Sequence, residues 1–437
     1  MDNVFSRERL LADKLQCKEF TGIDVIEFTN RLSEMAEIGV TAEGGISRFP
    51  YTEAEKNVKE LFKMWLEAAG LKVREDSIGN IIARFEGQNP DLPVVMTGSH
   101  LDTVPNGGAF DGVLGCLSSF MAIESLIKQN KRPLRSIELV VFVDEEGSRF
   151  NHGLFGSRAM LGEVNENDLN KFADDQGISL VDAMNKQGYD PSDITSVYRE
   201  VSDIHAFIEL HIEQGRILEY EKKDIGIVSG IVGLTRIVFT FYGNTDHAGN
   251  TPMNMRKDTV AAASEFIFGV EKLPSKFSDT AVATVGKINV FPNGTNVIAG
   301  KTELTVDVRD ISENSLNDLV KDIKELGNKI ANERSLKLDV KCGDVISPVL
   351  MSQEIQNVIR ASAEKNHLSF RDMPSGAGHD AMNMGRYVPT GMIFVPSYEG
   401  KSHSPKEWTS LPDCINGVAI LKDTLYDLAN QKVLIFP

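Results

Sequence analysis

The sequence predicts an α/β protein whose first domain is interrupted by a second, ferredoxin-like αβ domain. Three observations predict it: apolar runs alternating with helical periods early in the chain, a strand–helix–strand–strand–helix–strand order in the middle, and a return to helix and buried strand afterwards. Residues 53–69 (EAEKNVKELFKMWLEAA) place Val58, Leu61, Phe62, Trp65 and Leu66 at a helical period, and Gly70 stops the helix. Strand-like runs follow at 79–85, 94–98 and 137–143, with a helix from Gly112 to Lys128 between the last two. This order points to a largely parallel sheet covered on both faces, in which ligands gather at the carboxyl ends of strands. AFIELHIEQG (206–215) reads as a further strand that ends in a turn. In the middle, 231–243 is a strand, 252–272 a helix, ATVGKINVF and NVIAGKTELTVDVRD two strands, 314–332 a helix and LKLDVKCG the last strand. Helix then returns over 351–366, and MIFV (392–395) is a buried strand. The expected division is a discontinuous first domain, 1–229 and 345–437, around an inserted domain, 230–344.

Composition narrows the function classes. The 437 residues carry 63 acidic against 46 basic side chains, a net charge of −17 that argues against nucleic acid and anionic membranes as partners. No apolar run approaches the ~18 residues of a membrane span. The charged amino terminus, MDNVFSRERLLADKL, lacks a signal-peptide apolar region. Cys17, Cys116, Cys342 and Cys414 lie far apart with no CxxC, so a reducing, cytoplasmic setting is expected.

Chemistry concentrates where strands end. The first strand end spills SHLDTVPNGGAFDGVLG (99–115) into a glycine-rich loop with His100, Asp102 and Asp111. A carboxylate two residues after a histidine is available to fix its tautomer. A phosphate loop is disfavoured, since GGAFDGVLG matches neither GxxxxGK[ST] nor GxGxxG. Asp144-Glu145-Glu146 follows another apolar strand; three carboxylates there repel unless a cation compensates. In an extended chain Glu145 and Glu146 point apart, leaving one for metal and one for a proton. His211 ends a strand, whereas His205 on the same parity reads as structural. His403 in GKSHSPKEW precedes an expected helix start, with Ser404 as N-cap, Pro405 at N1 and Glu407 completing a capping box. His247 (DHAGNTPM) and His379 (SGAGHDA) sit in glycine-flanked loops that read as exposed, and His152 and His367 look incidental. Each histidine alone is more often a packed or surface residue than a ligand. Together, histidines and carboxylates at successive strand ends satisfy a divalent metal site, and a bridging carboxylate serves two ions.

SHLDTVPNGGAFDG, DEEGSRF, FGSRAM, ELHIEQG, HAGNTPMNMRKD, NVIAG, DVRD, SGAGHDA and FVPSYEGKSHSPKEW occur in that order along nearly the whole chain. In these motifs the chain resembles the dinuclear-metal amidohydrolases of the M20 peptidase superfamily. The branch is that of N-carbamoyl-L-amino acid hydrolases, allantoate amidohydrolases and β-ureidopropionases. The resemblance implies that His100, Asp111, Glu146, His211 and His403 bind two divalent ions (manganese, zinc, cobalt or nickel), with Asp111 bridging them. It implies Glu145 as the general base and Asp102 as the residue that orients His100. Gln214, Asn296, Arg309 and the Gly378 backbone would hold the substrate. His247 would reach the neighbouring subunit's site and stabilise the oxyanion, which implies a homodimer built on the inserted domain. Two departures stand out: Ala299 in NVIAG, where proline is usual, and Asp144 leading the DEE triplet.

The expected reaction is hydrolysis of an N-carbamoyl-L-amino acid to the L-amino acid, carbon dioxide and ammonia. In LFGSRAMLGE, Leu154, Phe155 and Met160 suggest an apolar wall for an amino-acid side chain. Allantoate is the rival, with Asn151 or Arg158 as partners for its second ureido group, and a β-ureido acid is third. A reading from another class is a metal-binding relative that kept the fold and lost catalysis.

Overall fold

The computed structural model describes residues 5–431, so Met1–Val4 of the charged amino-terminal stretch lie outside it. Among the described residues thirteen strands are formed: β1 Lys72–Glu75, β2 Ile81–Phe85, β3 Val94–His100, β4 Ile137–Phe142, β5 Ile204–Ile212, β6 Ile225–Ile231, β7 Gly233–Tyr242, β8 Val282–Phe291, β9 Lys301–Asp310, β10 Lys337–Cys342, β11 Val349–Leu350, β12 Phe370–Ser375 and β13 Thr390–Val395. They divide between two compact units. The first comprises the described residues up to Ser229, Met351–Met373 and those from Gly378 onward; the second is Gly230–Leu350 with Pro374–Ala377.

In the first unit the sheet runs β1-β2-β4-β3-β5-β13-β6, with β12 also beside β6. Its four central strands, β4, β3, β5 and β13, are mutually parallel, while β1, β2 and β6 pair antiparallel. The sheet is therefore mixed at its flanks. Every residue of β3, β4 and β13 is buried, the continuous apolar signature of strands covered on both faces. Helix Val113–Lys128 is apolar nearly all round and buried from Val113 to Leu126, because it lies between β3 and helix Leu411–Asn430. By contrast, helix Glu53–Ala68 buries one face through Val58, Phe62 and Leu66, as its periodicity predicts.

The second unit is a four-stranded antiparallel sheet ordered β10-β7-β9-β8, carrying helices Thr259–Val270 and Glu313–Glu333. This is the ferredoxin-like order that the element sequence predicts. Residues 252–258 do not extend the first helix: it starts at Thr259, where the Asp258 side chain accepts N–H bonds from Val260 and Ala261. The chain enters this unit within β6 and leaves it after β11, whose Val349 and Leu350 pair with Ile231 and Gly230.

Candidate functional site

Parallel pairing brings the chemistry together. Because β4, β3, β5 and β13 run the same way, their carboxyl ends share one edge. His100 is the last residue of β3, His211 the penultimate residue of β5, and the loops after β4 and β13 bring Glu145, Glu146 and His403. Asp111 comes from the loop between β3 and helix Val113–Lys128. Gly112, at φ +64°, lets that loop close: a Cβ there would lie 2.4 Å from the His100 ring.

Asp111 is the centre of the group. Its Oδ1 is 3.2 Å from His211 Nε2 and 3.5 Å from His100 Nε2, and its Oδ2 is 3.4 Å from His403 Nε2. Glu146 Oε1 is 3.5 Å from the same His403 nitrogen, and Glu145 Oε2 is 3.7 Å from His100 Nε2. Three overlapping sets result, His100–Asp111–His211, His100–Glu145–Glu146 and Asp111–Glu146–His403, each with its ligand atoms within 4.8 Å of one another. Such a cluster, mostly buried, could hold a metal ion.

The hydrogen bonding suits that use. His100 Nδ1 donates to the Asp102 carbonyl at 3.1 Å, and His211 Nδ1 to the Ile212 carbonyl at 2.9 Å. With Nδ1 of both rings committed to a backbone carbonyl, Nε2 is the nitrogen turned toward Asp111. Burial alone would lower the proton affinity of His100 and His211; Glu145, Asp102 and Asp111 outweigh it for the first and Asp111 for the second. Asp111, then Glu146, lift His403 to about 9. A field that strong toward protons attracts any cation set among the Nε2 atoms. Glu146 is pushed up to about 7 by burial and by the charge of Asp111, and its Oε1 accepts no hydrogen bond.

Asp102 works on a second loop as well. Its carboxylate lies 3.5 Å from His100 Nδ1, and its oxygens accept the N–H groups of Glu145 (3.2 Å) and Glu146 (3.1 Å). The triplet is therefore a turn, not the extended chain expected: Asp144 has φ +54°, and burial, then Asp102 and Glu55, hold its carboxyl well above the usual range.

Among the expected substrate contacts, Gln214 and Gly378 belong to the first unit and His247, Asn296 and Arg309 to the second. Gln214 Nε2 donates to Asp111 Oδ2 at 2.7 Å, while its Oε1 is buried without a partner. A Cβ on Gly378 would meet nothing within 4 Å, so its backbone borders open space. His247 is next to the loop of Asn296: it pairs with Val297, and the Asn296 carbonyl accepts from Ala248 N–H at 2.9 Å. His247 Nδ1 accepts from Gly249 (3.0 Å) and Asn250 (3.2 Å), which leaves the ring proton on Nε2. Arg309 spends three of its five N–H donors, two on Asp307 and one on the Gly376 carbonyl.

Three expectations are corrected. His379 is not exposed: it is buried, its ring centroid 4.5 Å from that of His211 and 5.8 Å from Phe394. Phe155 and Met160 are buried core residues, which leaves only the half-buried Leu154 of the expected apolar wall, and Arg158 contacts His152 through Nη1 and Glu163 through Nε. No helix starts at Ser404; the helix begins at Leu411, capped by Ser410 accepting from Asp413 N–H, and Glu407 turns inward instead. The sequence reading also missed the environment behind the cluster. Glu209 is fully buried, accepting from Ser99 Oγ (2.8 Å) and Ala381 N–H (2.9 Å). A glutamate two residues before His211 in an apolar strand carried that signal, since both side chains take the same face. Buried Arg48, donating to the Leu101 and Met35 carbonyls, gave no such signal.

Parallel strand ends that deliver imidazoles and carboxylates to one point define an α/β protein with a buried cluster that could hold metal ions. A model of Peptidase family M20/M25/M40 matches residues 96–427, and the chain belongs to that family. It is 41% identical over 403 residues to the N-carbamoyl-L-amino acid amidohydrolase of Geobacillus stearothermophilus, covering 92% of this chain and 98% of that one. It is 38% identical to the allantoate amidohydrolase of Escherichia coli (strain K12), covering 91% and 96%. A solved amidase of the hydantoinase/carbamoylase family from Burkholderia multivorans superposes with a TM-score of 0.90 at 34% identity, covering 94% and 99%. The chain is thus an enzyme, a hydrolase of C–N bonds.

Proposed function

We propose that the chain hydrolyses the ureido C–N bond of an N-carbamoyl-L-amino acid, releasing the L-amino acid, carbon dioxide and ammonia. The observation that carries this reading is the 41% identity to an N-carbamoyl-L-amino acid amidohydrolase over nearly its full length. His100, Asp111 and His211 would hold one divalent ion and Asp111, Glu146 and His403 a second, drawn from manganese, zinc, cobalt or nickel. Bound there, the ions would acidify water and polarise the ureido carbonyl.

The chain's own groups supply the rest. Glu145 is assigned as general base and then acid: burial, and then Glu146 and Asp380, push its carboxyl well above the usual carboxylate range, the direction that suits a group that takes up a proton and passes it on. Gln214 offers its unpartnered Oε1 to a ureido N–H. His247, with its proton on Nε2, is assigned to the oxyanion, beside Asn296. Arg309 keeps two N–H donors for the substrate carboxylate, and the Gly378 backbone is assigned to the same task. We also assign a homodimer to the second unit, whose edge strand β8 exposes Val282, Ile288 and Phe291.

Allantoate is the second reading. It is favoured by the 38% identity to the Escherichia coli allantoate amidohydrolase. The experiment is ammonia release by manganese-loaded protein from N-carbamoyl-L-methionine, allantoate and N-carbamoyl-β-alanine side by side, with a chelated control. Preference for the first, lost on chelation, is expected; preference for allantoate transfers the assignment, and turnover that survives complete chelation removes the ions from it.

A further inference from the structure

Glu407 is committed to a task that neither the ligand set nor the substrate contacts explain. Its side chain is 1% exposed although it sits in a loop. One oxygen, Oε1, accepts the N–H groups of Phe110 (2.8 Å) and Asp111 (3.0 Å); Ser402 Oγ donates to the other, Oε2, at 2.9 Å. These partners belong to two segments far apart in sequence, the GGAFDG loop and the stretch that ends in His403. A buried carboxylate is costly unless hydrogen-bonded, and here each bond spans or closes a loop of the site. Space is kept for it: a Cβ on Gly108 would lie 2.1 Å from Glu407 Oε1 and 2.3 Å from its Cδ.

The five proposed ligands are not equally supported. His100 and His211 stand on neighbouring strands with Nδ1 bonded to backbone carbonyls. His403 stands on a loop at φ +54°, its side chain half exposed. The ties between that loop and Asp111 run through Ser402, Gln214 and Glu407. We propose that Glu407 is a positioning residue that sets the Asp111 loop against the His403 loop and so assembles the Asp111–Glu146–His403 set; His100–Asp111–His211, which shares Asp111 but takes both histidines from strand ends, depends on it less. The proposal rests on the two-ion reading above.

The test is titration of the chelator-stripped full chain with Mn²⁺ by calorimetry, together with metal content per subunit after desalting. Two binding steps are expected for the unsubstituted chain. Glu407→Ala should weaken one step about ten-fold or more, the usual range for losing a residue that holds a ligand in place, and the other clearly less. In Glu407→Gln the amide oxygen can still accept both N–H bonds and the amide nitrogen can donate to Ser402 Oγ, so both steps should return close to those of the unsubstituted chain. Gly108→Ala, which displaces the carboxylate without removing it, should show the same unequal loss and stands in if Glu407→Ala does not fold. Equal weakening of both steps, or two unchanged steps in Glu407→Ala, overturns the proposal, as does failure of Glu407→Gln to restore binding. A single step in the unsubstituted chain removes the two-ion reading itself, and the proposal with it.

Discussion

At the scale of residues, the cluster separates groups that hold charge from groups that move it. Asp111 is the clearest holder: burial would raise its carboxyl, yet His211, His100 and His403 keep it well below the usual carboxylate range. Glu145 faces the opposite balance. Glu145→Gln should bind metal and fold as before while kcat falls by about 10²–10⁴; metal content and steady-state rates check this, and a near-normal kcat would remove Glu145 as the base. His205 and His152 make a pH prediction away from the site. Burial, assisted by Arg135 and Arg158 respectively, lowers both to about 4. Below pH 6.5 the unfolded chain takes up a proton at each that the folded chain refuses until about pH 4, so their contribution to stability is present above 6.5 and lost as pH falls toward 4. His205→Gln should flatten that part of a stability–pH curve measured by urea unfolding; an unchanged slope would mean His205 is charged in the fold.

At the scale of elements, strand direction does the assembling. The ends of β3 and β5 fix two histidines rigidly, and the loops after β4 and β13 supply what a strand end cannot: a carboxylate turn and a histidine at positive φ. The reading of His403 as the foot of a helix failed for a physical reason. Ser404, Pro405 and Glu407 form a capping pattern, but Glu407 finds stronger partners in the Phe110 and Asp111 N–H groups, and the helix starts seven residues after Ser404 with its own cap, Ser410. Ser410→Ala should accordingly destabilise the first unit by about 1 kcal/mol, the usual cost of a lost N-cap, while Ser404→Ala should cost far less. Paired urea denaturation curves distinguish the two, and equal effects would contradict the cap assignment.

At the scale of the molecule, two units of different build meet different demands. The first surrounds its central strands with helices and carries the cluster; the second is a small sheet with a long edge strand whose apolar side chains stay exposed in the single chain. Val282 is 51% exposed, Ile288 48% and Phe291 47%, together with Phe268 at 60% on helix Thr259–Val270. An edge of this kind invites pairing. Sedimentation equilibrium should give about twice 48.2 kDa, and charged substitutions at Val282 and Ile288 should shift the chain toward monomer. A monomer at micromolar concentration would place the dimer elsewhere or nowhere.

By itself the sequence determined the class of each unit and the identities of the charged and imidazole groups at the site. Periodicity, strand alternation and motif order are local properties, and they survive into the structure almost element by element. Tertiary structure alone decided what depends on distant partners. It buried His379 against His211, because the loop of SGAGHDA ends beneath β5 rather than in solvent. Phe155 and Met160 went to the core instead of a substrate wall, and Arg48 reached three carbonyls that no spacing could reveal. It also turned Glu407 from an expected helix cap into a tie between loops 296 residues apart at Asp111, since a buried carboxylate goes to whichever N–H groups the fold brings within reach.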